Sequence, residues 1–206
     1  MIKVLDISLI KVDGFELENV RTFRYLGCVL SDNQKDDQFI KHQITSAYKK
    51  WHEYKNVFTD KRINLMSRVM IAESMVRSRL TYAVETQRLK NDQKQKLDAI
   101  WARMLRQMVS GGFRKHENQH YKITKEDLYK ICKTKSASKY CQIQHLKFLA
   151  HVARLPNTAV QKQWLFTDLP GKKDQWLPLA RELDLDPIQV RYTIFDKEKL
   201  NELIYT

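Results

Sequence analysis

Residues 40–58 read Ile40-Lys-His-Gln-Ile44-Thr-Ser-Ala47-Tyr-Lys-Lys-Trp51-His-Glu-Tyr54-Lys-Asn-Val-Phe58. The apolar positions recur at alternating steps of four and three, which winds them onto one stripe of an α-helix. A second stripe runs Leu65, Val69, Ala72, Val76, Leu80, Ala83, and a third runs Leu97, Ile100, Trp101, Met104, Leu105, Met108. Asn91 or Asp92 can cap the start of the third, and Gly111-Gly112 can end it. Three long helices with short connections predict an antiparallel bundle. Trp51, Tyr54 and Trp101 lie on the stripes and belong to its core.

Upstream the period changes. Residues 2–12 are β-branched and partly alternating, Asp13-Gly14 follows, and Phe15-Glu-Leu-Glu comes next. Asp-Gly between such runs predicts a two-residue hairpin. Phe23 to Leu30 predicts a further short strand, interrupted by Gly27, where glycine suits a bulge or a close backbone approach. Downstream, residues 113–123 read as a polar linker, and a domain boundary is expected near 111–123. Thr124 with Asp127 predicts a capped short helix to Cys132, and Ser136 to Leu155 a further helix. Pro156, Pro170-Gly171, Pro178 and Pro187 punctuate what reads as a looser tail. No internal repeat is present. The fold expected is mainly α: a small N-terminal β-hairpin or sheet over residues 1–34, a three-helix bundle over 35–112 and a smaller C-terminal helical region over 113–206.

The chain has 206 residues, 43% of them hydrophobic, with only 5 glycines and 4 prolines. This suits a folded domain and excludes collagen-like and low-complexity designs. No apolar run approaches the roughly 20 residues of a membrane span. The start lacks the layout of a signal peptide. Cysteines at 28, 132 and 141 give no disulfide framework, so a reducing, intracellular location is expected, nuclear or cytoplasmic.

Charge is the dominant feature of the composition. The formal net charge is +13 and the pI about 9.6. It is not spread evenly: residues 41–115 carry 17 basic and 6 acidic side chains, whereas residues 1–40 and 171–206 are slightly acidic. A localised basic field points to a polyanion. On helical geometry Lys61, Arg68 and Arg79 lie within about 20° of one another beside the second stripe. Lys96, Arg103 and Arg106 oppose the third stripe, and Lys49, with Lys50 beside it, opposes the first. Arg114 and Lys115 follow the bundle. Such rows can track a phosphate backbone, against the alternative of a merely solvated helix face. His42 and Tyr48 lie off the first stripe, where they can stack on a base.

Other constellations are weaker. Cys132, Cys141, His145 and His151 lack the tight C-x2–4-C pair of zinc modules. Cys141 and His145 share the apolar side of their helix, and His151 points about 120° away, so packing is the expected role. Asp36-Asp37 suggests a two-metal carboxylate pair, but acids at the opening of a helix are explained by its dipole. Cys28 has no evident base partner. No Gly-rich phosphate loop, G-x-S-x-G or H-E-x-x-H occurs.

At Phe23-Arg-Tyr-Leu-Gly-Cys-Val-Leu-Ser the chain resembles the F-x-Y-L-G segment that follows the palm in reverse transcriptases of non-LTR (LINE-like) retrotransposons. Val12-Asp-Gly-Phe-Glu-Leu-Glu-Asn-Val resembles the hairpin those proteins place just before it. Ile40 to Ala47 resembles their I-x-x-R-I-x-x-A helix, with Gln43 where a basic residue is common. Leu80-Thr-Tyr-Ala-Val-Glu-Thr resembles L-x-Y-G-x-E-x-W, with Ala83 for Gly and Gln87 for Trp. Arg103-Met-Leu-Arg-Gln-Met-Val-Ser-Gly-Gly resembles R-x-x-L-R-x-i-x-G, and His151-Val-Ala-Arg resembles G-H-V-x-R, with Ala150 for Gly. Trp176 after Gly171-Lys-Lys resembles the G-R-x-x-x-x-W of the C-terminal tail. None of these is specific by itself; their shared order spans most of the chain.

The resemblance implies the end of a palm with a primer-grip-like hairpin, then a thumb-like helical bundle, then a C-terminal extension. Tyr25, Leu26 and Gly27 would help place a primer end. Lys49, Lys50, Lys61, Arg68, Arg79, Lys96, Arg103, Arg106, Arg114 and Lys115 would meet the phosphates of RNA or an RNA–DNA hybrid. The family's catalytic Tyr/Phe-Ala-Asp-Asp strand precedes the Y-L-G segment and has no counterpart here. The reading is therefore a reverse-transcriptase fragment, inactive as an RNA-directed DNA polymerase by itself. It has no cofactor of its own, since Mg²⁺ would belong to the absent palm, and a palm-and-fingers portion could be supplied in trans. A reading from another class is a non-enzymatic helical interaction module whose basic face binds an acidic protein or an anionic membrane surface. A third is a zinc-dependent nucleic-acid module over residues 132–151.

Overall fold

The computed structural model describes residues 11–18, 20–25, 28–31, 38–84, 89–109, 113–116, 119–166 and 176–205. The fold is mainly α, with a small antiparallel β region at the N-terminus, and it divides into residues 1–42 and 43–206. In the first unit, β1 (Lys11–Val12) pairs with β2 (Phe15–Glu16), Val12 opposite Phe15. Asp13 and Gly14 both have positive φ, 49° and 84°, which is the two-residue turn that Asp-Gly favours. The expected single strand over 23–30 is instead a second hairpin. β3 (Thr22–Tyr25) pairs antiparallel with β4 (Cys28–Ser31), with Tyr25 opposite Cys28. A one-strand reading of alternating residues does not distinguish two short paired strands from one longer strand. Arg24 Nη2 donates to His42 Nε2 at 2.8 Å.

The helix α1 (Gln38–Glu53) runs from the first unit into the second. Its buried stripe holds Ile40, Ala47 and Trp51. The expected helix to Phe58 is broken at Tyr54, and α2 (Lys55–Thr59) follows. The stripe survives the break, because the Trp51 and Phe58 rings stack at 4.9 Å. Asn64 caps α3 (Leu65–Ala72) by accepting from Met66 N–H at 2.8 Å. A π-helical turn (Glu73–Arg77) joins α3 to α4 (Ser78–Leu80). Val69, Ala72, Val76, Leu80 and Val84 are all buried.

The helix α5 (Asn91–Met108) starts one residue earlier than a cap at Asn91 would place it, and two earlier than a cap at Asp92. Lys90 stands at the cap position, and its backbone N–H donates to Gln93 Oε1 at 2.9 Å. Gly111-Gly112 lies outside the described residues. The stretch read as a polar linker forms a hairpin: β5 (Phe113–His116) pairs with β6 (Gln119–Lys122), His116 opposite Gln119. Its charged composition hides strands that a hydrophobic period would have revealed. Thr124 and Ser136 cap α6 (Lys125–Ile131) and α7 (Ala137–Ala153), accepting from Asp127 N–H and Lys139 N–H, each at 3.1 Å. The α6 end closes through Lys133, φ 47°, with Thr134 N–H on Tyr129 O at 3.0 Å, a Schellman arrangement.

The tail is helical: α8 (Val160–Phe166), α9 (Trp176–Glu182), α10 (Pro187–Thr193) and α11 (Lys197–Tyr205). Leu183, Val190, Ile194 and Leu200 share a buried cluster with Ile143, Leu146 and Ala150 of α7. Nor does the structure divide near 111–123, for residues 43–206 form one unit. Asp98 of α5 accepts from both the N–H and the hydroxyl of Ser138, at 2.7 and 2.6 Å, and so caps α7 from across that point.

Ala83, in the turn after α4, has φ 57°. A Cβ in this left-handed region costs roughly 1 kcal/mol relative to glycine. Ala83→Gly is therefore expected to raise unfolding stability by about 1 kcal/mol, measured by urea denaturation; an unchanged or lowered midpoint would contradict the strain.

Candidate nucleic-acid interface

Arg68 does not belong to the exposed basic row. It is 6% exposed. Its Nε donates to Ile63 O at 3.0 Å, and its Nη1 donates to Phe58 O at 3.0 Å and Met108 O at 3.1 Å. The guanidinium ties the end of α2, the turn before α3 and the last turn of α5. The row Lys61–Arg68–Arg79 assumes one continuous α-helix. In the structure Lys61 sits in the turn before that helix, and the π turn adds a residue between Arg68 and Arg79, shifting the helical phase. Arg68 therefore faces inward while Arg79 is exposed.

The remaining candidates divide by exposure. Lys49, Lys61, Arg79, Lys96 and Arg103 are exposed. Lys96 Nζ lies 3.3 Å from Asp92, and Arg103 Nη1 reaches the Tyr48 hydroxyl at 3.5 Å. Lys50 is half-buried, 2.7 Å from Glu53 and over the Tyr54 ring. Arg106 is half-buried, and its Nε is shielded with no hydrogen-bond partner. Arg106 acts electrostatically on the Tyr129 hydroxyl, whose pKa burial and then Asp98 push up, with Arg106 opposing. Arg114 and Lys115 lie on β5, paired with Tyr121 and His120. Tyr25 is exposed at the end of β3; Leu26 and Gly27 lie outside the described residues, as do Asp36 and Asp37.

Two acids of this region, Asp60 and Glu73, are held by neighbouring arginines. Arg62 grips Asp60 with Nε and Nη2, at 3.0 and 2.8 Å to separate oxygens. Glu73 pairs with Arg77, and both bond the Thr134 hydroxyl. Arg77 also lies over the Tyr140 ring at 4.2 Å and over Trp101 at 5.9 Å. The sequence pattern gave Arg77 no role, yet it locks the π turn to the α6–α7 connection. His42 and Tyr48 are both partly buried, and Tyr48 stacks on His52 at 6.2 Å between centroids.

Cys132 and Cys141 are buried, and burial pushes the Cys132 thiol up to about 11. Burial likewise lowers the pKa of His145, with Glu182 acting against it. His151 is exposed. Among the described residues no group of three or more His, Cys, Asp or Glu is placed to hold a metal, and no helix is long and apolar enough to cross a membrane. Compared with protein-family models, with curated proteins and with solved structures, the chain matches none.

Removing the Arg68 fork leaves carbonyls of three segments without their donor. Arg68→Met is expected to cost about 2–4 kcal/mol, and Arg68→Lys to recover only part, since an ammonium lacks the fork. Urea denaturation checks both, and a cost below about 1 kcal/mol would show that the clamp contributes little. Side-chain hydrogen bonds from Arg62, then its backbone N–H, hold the Asp60 carboxyl at about 2. Being depressed in the fold, it stabilises the protein above its ordinary value of 3.8 and loses that effect as pH falls towards 2. The Asp60 carboxyl resonance should titrate near pH 2 in wild type and move up in Arg62→Gln; titration near 4 in wild type would contradict the pair.

Proposed function

We propose that this chain is a thumb-like, sequence-tolerant nucleic-acid-binding fragment of a retrotransposon-type reverse transcriptase. Its ligand is the backbone of RNA or an RNA–DNA hybrid. One observation carries the binding claim: within the strongly basic stretch 41–115, Lys49, Lys61, Arg79, Lys96 and Arg103 are exposed, while Asp60 and Glu73 are engaged by Arg62 and Arg77. Exposed cations that outnumber the nearby acids gain by releasing the counterions of a phosphate backbone. The reverse-transcriptase assignment rests on the order of the sequence landmarks from Phe23 to Trp176. Polymerase chemistry is not part of the proposal, since the paired carboxylates that would hold Mg²⁺ have no counterpart among those landmarks.

The competing reading, a module that binds an acidic protein, draws on the exposed Ile188, Tyr192 and Phe195. Salt separates the two. Anisotropy of a labelled RNA–DNA hybrid should show affinity falling log-linearly with salt. The Lys61, Arg79, Arg103→Ala variant should lower the slope by about 2–3, at roughly 0.7–0.9 per phosphate contact. Hybrid binding unchanged in the variant, or insensitive to salt, would overturn the proposal in favour of the protein-binding module.

A further inference from the structure

A cleft of about 810 Å³ lies between the α6–α7 connection and the C-terminal helices, within the size range of small-ligand sites. Its lining is of mixed chemistry. Leu185, Leu203 and Ile204, all partly buried, are apolar. Tyr129, Lys135 and Lys139 line it as well. The Tyr129 hydroxyl is shielded from solvent and has no hydrogen-bond partner. Asp98 also lines the cleft, but both its oxygens are taken by Ser138. Glu126 and Asp184, both exposed, also line it.

The lysines form a cluster of like charge. Lys135 Nζ sits 4.5 Å from the Tyr205 ring centroid and Lys147 Nζ 4.9 Å from it, and Lys147 donates to the Tyr205 hydroxyl at 3.0 Å. Lys135, Lys139 and Lys147 make no ion pair among the described residues. Burial lowers the Lys135 pKa, and repulsion from Lys139, Lys147 and Arg77 adds to this, with Tyr205 opposing. Cations gathered this way gain from an anion that joins them.

We propose that this cleft binds a nucleotide, with the phosphate on Lys135 and Lys139, the base against Leu185, Leu203 and Ile204, and the Tyr129 hydroxyl as a polar contact. Cations and apolar side chains lining one cleft fit an anionic head joined to a flat, weakly polar group. The site is separate from the exposed cations of residues 41–115, and the nucleotide has two sources, a free mononucleotide or the phosphorylated end of a strand.

Calorimetric titrations with adenosine monophosphate, adenosine, inorganic phosphate and a 5′-phosphorylated RNA hexamer test it on the full chain. The monophosphate or the phosphorylated hexamer should bind, with adenosine and phosphate each at least roughly tenfold weaker. Lys135→Gln with Lys139→Gln should weaken binding by roughly tenfold or more, and Lys135→Arg with Lys139→Arg should keep most of it. If the double glutamine variant melts earlier, the exposed Lys139→Gln alone serves, with a smaller loss expected. Binding of the hexamer alone assigns the source to a strand end, and binding of the monophosphate to a free nucleotide. Failure of both to bind, equal binding by inorganic phosphate, or affinity unchanged in the glutamine variants would overturn the proposal. Hybrid duplex titrated against the same variants keeps this apart from the thumb-like reading: duplex binding should follow Lys61, Arg79 and Arg103, and survive loss of Lys135 and Lys139.

Discussion

One buried cation organises the helical unit. The Arg68 guanidinium donates to Phe58, Ile63 and Met108 carbonyls, which end or flank three helices. Helix ends leave carbonyls unsatisfied, and where such ends converge inside a fold water cannot serve them all. A planar fork with several donors meets them from one side chain. The position of Arg68 also fixes which basic residues remain outside. It lies electrostatically close to Asp60 and Cys132, so the packed side of α3 is committed to structure.

Exposure then separates the cations by role. Arg68 and Arg77 bind carbonyls, carboxylates and rings within the fold. Lys49, Lys61, Arg79, Lys96 and Arg103 face solvent. Basic composition alone cannot make this separation. The π turn makes it, by carrying the buried stripe through Val76 and Leu80 while turning Arg79 out of line with Arg68. A second positive cluster, Lys135 before α7 and Lys147 on it, gathers on Tyr205 of α11.

The legible parts of the sequence were those with a short-range cause. Asp13-Gly14 demanded a two-residue turn, Thr124 and Ser136 announced two helix starts, and the apolar steps located the buried residues of α3 to α5. Three features had no such cause. The hairpin at 113–122 is polar along both strands, so no alternation marks it. The tail helices are short and α9 and α10 carry prolines, and their burial against α7 is a long-range contact that no local pattern announces. Arg68 sat at the border of the apolar stripe on a helical wheel, where a small phase change decides between core and solvent. Of the candidate interface, the sequence located the basic region, and the structure shows which of its side chains are exposed.

The central claim is that the exposed cations of residues 41–115 grip a nucleic-acid backbone. Lysine acetylation footprinting with and without a saturating RNA–DNA hybrid tests this directly by mass spectrometry. The account predicts that the hybrid protects Lys49, Lys61 and Lys96, with Lys197 and Lys199 of α11 left as reactive as before. Equal reactivity at Lys49, Lys61 and Lys96 in the presence of bound hybrid would contradict it.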